Sequence, residues 1–101
     1  MKNIYGKISY DFEREIQAYC PLGNDYYTCE VSVSFEAADE IFDFCEIDEF
    51  IKSLGGSRMI IEELVNTIYD RLSKYNPKEL LVYGKAKSNT HFPVTVTKRS
   101  Y

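Results

Sequence analysis

Cys20 is the side chain in this sequence best suited to covalent chemistry. It stands at the end of an alternating, strand-like run and directly before Pro21, where a side chain can face the mouth of a pocket. A thiolate is a strong nucleophile, and a thiol of ordinary pKa near 8.5 is moved toward that form by a nearby charge or hydrogen-bond donor. Such a nucleophile also needs a group that handles protons. The one histidine, His91, is remote in sequence, which argues against a protease-type Cys–His pair. Asp25, five residues on in the same turn, is the candidate for that role. The same two residues also fit a half-buried structural thiol beside an aspartate that closes an Asx-type turn. Glu62 is the third candidate: it adjoins an apolar helical stripe, where a carboxylate can receive paired N–H donors from a ligand. Acids at a helix start also serve the helix dipole alone, and Glu63 reads that way, as a solvated residue. Cys29 falls on the apolar face of a strand, and Cys45 sits among Phe42, Phe44 and Ile47; both read as core filler.

Two alternating runs must position Cys20 and Asp25. From Ile4 to Ala18 apolar residues fall on alternate positions (Ile4, Ile8, Tyr10, Phe12, Ile16, Ala18), the period of a strand with one buried face. Cys20-Pro21-Leu22-Gly23-Asn24-Asp25 interrupts it with turn residues. From Thr28 to Phe35 the alternation resumes, with Cys29, Val31, Val33 and Phe35 on one face and Glu30, Ser32 and Ser34 on the other, so the pair predicts an antiparallel hairpin. Ile47, Phe50, Ile51 and Leu54 then follow the spacing of a short helix ended by Gly55-Gly56. Ser57 is a candidate cap for the next helix, whose stripe runs through Ile61, Leu64, Val65, Ile68, Leu72 and Tyr75 to a stop at Asn76-Pro77. Strand-like stretches at Leu80–Ala86 and Phe92–Thr97 close the chain. The order β-β-α-α-β-β predicts an α+β fold, an antiparallel sheet with helices on one face.

The chain has 101 residues, the size of a single domain spanning 1–101. Hydrophobic residues make up 45% and charged residues 28%, which excludes disorder for the bulk of the chain. No apolar run reaches the roughly 18–20 residues of a membrane span, and the first residues lack the apolar stretch of a signal peptide; no membrane association is expected. Three cysteines cannot all pair, so a reducing, cytoplasmic setting is expected. No short-spaced His/Cys set calls for a metal, and no glycine-rich phosphate loop is present. The net charge of −4 argues against a general nucleic-acid binder. All carboxylates precede residue 80, however, and Lys85, Lys87, Lys98 and Arg99 leave a local phosphate contact open beside the plainer reading of a solvated strand face. Two open sheet edges, with aromatic surface from nine Tyr and six Phe, predict homo-oligomerisation that closes several copies into a barrel.

The segment Cys20-Pro21-Leu22-Gly23-Asn24-Asp25-Tyr26 resembles the Cys-Pro…Gly…Asp-aromatic segment of the QueF family. The likeness continues through the second strand, Ile61-Glu62-Glu63-Leu64 and Val82-Tyr83-Gly84-Lys85, and covers most of the chain. The resemblance implies a tunnelling fold, assembled as a pentamer or decamer, and chemistry on the nitrile of 7-cyano-7-deazaguanine. By it, Cys20 matches the nucleophile that forms a covalent thioimide, Asp25 the aspartate that moves protons at the nitrile nitrogen, and Glu62 the glutamate that anchors the guanine-like edge.

Three departures narrow the activity. The Cys-to-Asp spacing is two residues shorter than in the family segment. Ile61 replaces the histidine that precedes the anchoring glutamate in the reductases. Asp48 and Glu49, in Cys45-Glu46-Ile47-Asp48-Glu49-Phe50, stand where NADPH-dependent members carry Lys-Ser, and carboxylates there repel a phosphorylated dinucleotide. The chain therefore looks most like the short QueF-like amidinotransferases, which add ammonia to the nitrile of the deazaguanine base in tRNA to give the amidine of archaeosine. No cofactor is expected, and the expected substrate is a 7-deazaguanine-type small molecule or a modified tRNA. An NADPH-dependent nitrile reductase of queuosine synthesis and a non-catalytic purine-binding or assembly protein are the competing readings.

Overall fold

The computed structural model describes all residues from Met1 to Tyr101. Its elements are β1 (Ser9–Cys20), β2 (Asp25–Glu36), α1 (Phe44–Ser53), α2 (Ile61–Ser73), β3 (Lys78–Lys87) and β4 (Val94–Arg99). The strands pair antiparallel in sequence order, β1-β2-β3-β4, as one four-stranded sheet. This is the expected α+β order.

The alternation in the strands follows from burial of one sheet face. Ile16 and Ala18 of β1, Tyr27, Cys29, Val31, Val33 and Phe35 of β2, and Leu80 and Val82 of β3 join one core with Ile47, Ile51, Leu64, Val65, Ile68 and Leu72 of the helices. Full burial of one such aliphatic side chain contributes about 1.5–3 kcal/mol. The opposite sheet face carries Glu13, Glu15, Glu30, Ser32, Ser34 and Lys85 and has no helical cover. No helix is long and apolar enough to cross a membrane.

Four local expectations are corrected. β1 begins at Ser9, not Ile4: Asn3 accepts from the Tyr5 amide at 3.0 Å and donates to the Gly6 carbonyl at 2.9 Å, and Gly6 is left-handed at φ 84°. That turn breaks the extended run and leaves Ile4 exposed. Ser57 caps nothing; the residue before α2 is Ile60, without a side-chain cap. Ser57 to Met59 instead runs beside the outer edge of β1, with the Tyr19 amide donating to the Ser57 carbonyl at 2.9 Å and the Met59 amide to the Tyr19 carbonyl at 3.1 Å. Cys45 is exposed rather than core. Helical rotation separates it from Ile47, its neighbour in sequence, and Asp43 accepts from its amide at the helix start. Finally, β4 starts at Val94, so Phe92 lies in a loop with its ring exposed.

Gly84 sets how closely α2 lies on the sheet. A Cβ there would meet Val65 Cγ2 at 2.8 Å and Ile61 Cδ1 at 3.0 Å. Only a residue without a side chain allows the first turns of α2 to pack this near to β3. Tyr27 ties the lead-in of the same helix to β2, its hydroxyl donating to the Met59 carbonyl at 2.6 Å.

Candidate active site

The hairpin places Cys20 and Asp25 directly opposite each other, as the last register pair of β1 and β2. Opposed residues on an antiparallel pair have Cβ atoms about 4.5–5.5 Å apart and project to the same face. That face is the helix-covered one, since Cys20 follows Ile16 and Ala18 in the alternation and Asp25 precedes Tyr27 and Cys29. The turn between them is Pro21 to Asn24, with Asn24 left-handed at φ 52°. Asparagine tolerates that conformation better than most residues.

Above this pair begins α2, brought down by Gly84 and Tyr27, and Glu62 lies in its first turn. The loop between β3 and β4 closes the third side. Together they enclose a pocket of about 250 Å³, and Cys20, Asp25 and Glu62 all line it. The structure thus brings the three sequence candidates together. Tyr27, Ile61, Ala86 and Val94 give the pocket an apolar floor, and Phe92 lies at its lining as well.

Two residues that the sequence reading left out of the site also reach it. His91 lines the pocket, with Nε2 lying 3.8 Å from where a Cβ on Gly23 would sit; Cys20 Sγ is 3.9 Å from the same point. Thr90 donates its hydroxyl to Asp25 Oδ2 at 2.6 Å across a separation of 65 residues. Ser88 shapes the loop that carries both, its Oγ accepting from the His91 amide at 3.1 Å. Distance in sequence hid them; the only signal was the dense polar run Ser88-Asn89-Thr90-His91 just before Pro93.

No ion pair involves Asp25 or Glu62. Burial, and next the charges of Cys29, Cys20 and Glu62, push the Tyr27 phenol up, so it stays a neutral donor. Burial also pushes the Cys29 thiol up to about 12, with Glu30 adding to the shift. Cys29 is fully buried and belongs to the core; as a thiol it is inert. No group of three or more His, Cys, Asp or Glu side chains is arranged to hold a metal ion. A pocket with a thiol opposite a carboxylate, and a second carboxylate facing an apolar and aromatic floor, can take a flat heterocycle edge-on and attack an electrophilic carbon.

Neither a family model nor a curated protein sequence matches the chain. Among solved structures it is similar to the crystal structure of the archaeosine synthase QueF-Like in the apo form, at 20% sequence identity. The TM-score is 0.81, and the superposition covers 91% of this chain and 92% of that one. The sheet, its two helices and the hairpin that ends in Cys20 and Asp25 are therefore built on the QueF-Like fold.

Proposed function

We propose that this chain is a nitrile-processing enzyme of 7-deazaguanine chemistry in which Cys20 attacks the nitrile of 7-cyano-7-deazaguanine. The observation that carries the reading is the convergence of Cys20, Asp25 and Glu62 on one pocket; the fold shared with archaeosine synthase QueF-Like supports it. Glu62 accepts N–H donors from the guanine-like edge, which leaves the nitrile directed at the hairpin. Sulfur then bonds to the nitrile carbon, a π pair moves to nitrogen, and Asp25 handles the proton that nitrogen takes up. The product is a thioimide, with no net gain or loss of protons or electrons. Ammonia adding to the same carbon expels the Cys20 sulfur as thiol and leaves an amidine, the amidinotransferase outcome.

The charges on α1 favour that outcome over reduction by NADPH. Arg14 donates to Asp48 at 2.5 and 2.8 Å, and Lys52 pairs with both Asp48 and Glu49. The hydrogen bond from Arg14, with Lys52 adding to it, holds the Asp48 carboxyl below its ordinary range. Both cations are engaged, and none is left at this helix for a dinucleotide phosphate. In the basic C-terminal stretch, Lys87 is bound to Glu30 at 2.7 Å and Lys98 lies over the Tyr69 ring at 4.4 Å. The free base is therefore the first substrate to test and modified tRNA the second.

The pocket rim supports assembly of several copies. Leu22 and Phe92 are each 81% exposed and Tyr26 is 60% exposed, and the β4 edge and the start of the β1 edge have no partner strand. Closure of single-domain chains into a pentamer or decamer would cover both rim and edges; sedimentation velocity should give that mass, and a monomer at micromolar concentration refutes it.

Intact-protein mass spectrometry after incubation with 7-cyano-7-deazaguanine tests the chemistry. A gain of one base, absent in Cys20→Ala, is the expected result. No adduct on folded protein, with the free base or with modified tRNA, refutes it. Binding of the base that survives Cys20→Ala without any covalent species would instead identify a purine-binding protein.

A further inference from the structure

We infer that the β3–β4 loop supplies a second proton-handling group: His91 accepts the Cys20 thiol proton, while Thr90 holds Asp25 for the proton required at the acceptor atom. The inference rests on Cys20 being the nucleophile proposed above. Addition of a thiol across a triple bond sets two proton tasks at different places. The S–H bond breaks at one, and a new N–H bond forms at the other. A single carboxylate opposite the sulfur is poorly placed to do both while one of its oxygens is held, and Asp25 Oδ2 is held by Thr90 at 2.6 Å. That hydrogen bond fixes the carboxylate plane and leaves Oδ1 for the reacting nitrogen. The imidazole lines the same pocket as the thiol. His91 Nε2 and Cys20 Sγ both border the small space over Gly23, at 3.8 and 3.9 Å from a Cβ there. The loop is not a loose strap, since Ser88 Oγ accepts from the amides of both Thr90 and His91, at 3.4 and 3.1 Å. Pro93, with its fixed φ, leads directly into β4.

The step balances. The thiol proton passes to the imidazole as the S–C bond forms, the π pair goes to nitrogen, and nitrogen receives its proton through Asp25. Exchange of one proton between His91 and Asp25 restores both groups. Thr90 acts through Asp25 and is a positioning residue; His91 acts across the space over Gly23 that its Nε2 shares with the reacting sulfur.

Alkylation of the full-length chain by iodoacetamide, read cysteine by cysteine with mass spectrometry, tests His91 without any deazaguanine. Exposed Cys45 is the internal reference and buried Cys29 the blank. The ratio of Cys20 to Cys45 alkylation should fall at least about a hundredfold in His91→Gln, the low side of a general base's usual effect. An unchanged ratio overturns the inference. Should that variant not fold, Gly23→Ala decides by the same criterion. Its methyl would touch both groups at ordinary contact distance, and Gly23 does not have positive φ, so alanine is compatible with the turn. For Thr90, Thr90→Val should slow nitrile adduct formation about tenfold with base affinity and Cys20 alkylation unchanged, and Thr90→Ser should restore it; equal rates in Thr90→Val and wild type remove its role. A fall in alkylation ratio with no nitrile adduct in wild type would leave the His91–Cys20 pairing standing and the nitrile reading refuted.

Discussion

The two halves of the helix-covered side treat polar groups in opposite ways. In the half away from the pocket, every prominent carboxylate is neutralised. Glu46 accepts from Arg71 and from the Tyr75 hydroxyl, and Asp48 accepts from Arg14. Those hydrogen bonds hold Glu46 and Asp48 below the ordinary carboxylate range, and burial with the Glu46 contact pushes Tyr75 up to about 12. Around them pack Tyr10, Phe12, Phe35, Phe42 and Tyr75, with ring centroids 5.0–5.6 Å apart. In the pocket half, Cys20 is a free thiol, Glu62 is exposed, and Asp25 is held by one neutral hydroxyl. One half ties its polar groups to one another, and the other leaves Asp25 and Glu62 outside any ion pair.

Substitutions should therefore separate cleanly into those that remove reaction and those that remove stability. The largest effect is expected for Cys20→Ala: complete loss of adduct by intact mass, with the thermal unfolding midpoint little changed. Next is Phe42→Ala, in the aromatic cluster, which should cost about 3–5 kcal/mol in a urea titration. At temperatures where it remains folded, this variant should form the adduct at the wild-type rate; loss of adduct there would break the division. Glu62→Gln should weaken binding of the base by about 1.5–3 kcal/mol in calorimetry, the range for hydrogen bonds to a charged group. Gly84→Ala crosses the boundary. Its methyl overpacks against Val65 and Ile61, so unfolding should show a loss of about 1–3 kcal/mol and base affinity should fall with it, because Glu62 follows Ile61 on the displaced turn.

The smallest effect is in acid. Glu46 and Asp48 have folded pKa values below their unfolded ones. Their stabilisation is complete above the unfolded range of about 3.9–4.3 and is lost as pH falls through the folded values. The unfolding midpoint should drop below about pH 4. A Glu46→Gln, Asp48→Asn double variant should show a shallower drop; an identical one would mean the charged pairs do not stabilise the far half.

Period and punctuation made much of this architecture legible before any coordinates. A period of two is strict enough that Ile16, Ala18, Cys29, Val31 and Val33 were assigned to the correct face, and the helix stripe from Leu64 to Leu72 likewise. Where local hydrogen bonds compete with pattern, the pattern misled. Asn3 and Gly6 end β1 before Ile4, and Ser57 lies extended beside Tyr19 instead of capping α2. Cys45 was misplaced because adjacency in sequence is not adjacency on a helix. Within the pocket, Cys20 and Asp25 were visible because one turn joins them. Glu62 needed the family resemblance beside its position on the stripe. His91 and Thr90 show in the sequence only as part of a polar run, for their approach depends on the β3–β4 connection folding back across the sheet end.

The four-residue turn from Pro21 to Asn24 also bears on the order in which this molecule is assembled. A hairpin closed by so short a connection forms within about 1–10 μs. Contacts to Glu62 and the β3–β4 loop join distant segments and must wait on slower closure of the whole topology. During synthesis, residues 20 and 25 can pair while the later ones are still in the ribosome. The hairpin thus sets Cys20 opposite Asp25 first, and only completion of the last two strands closes the pocket around that pair.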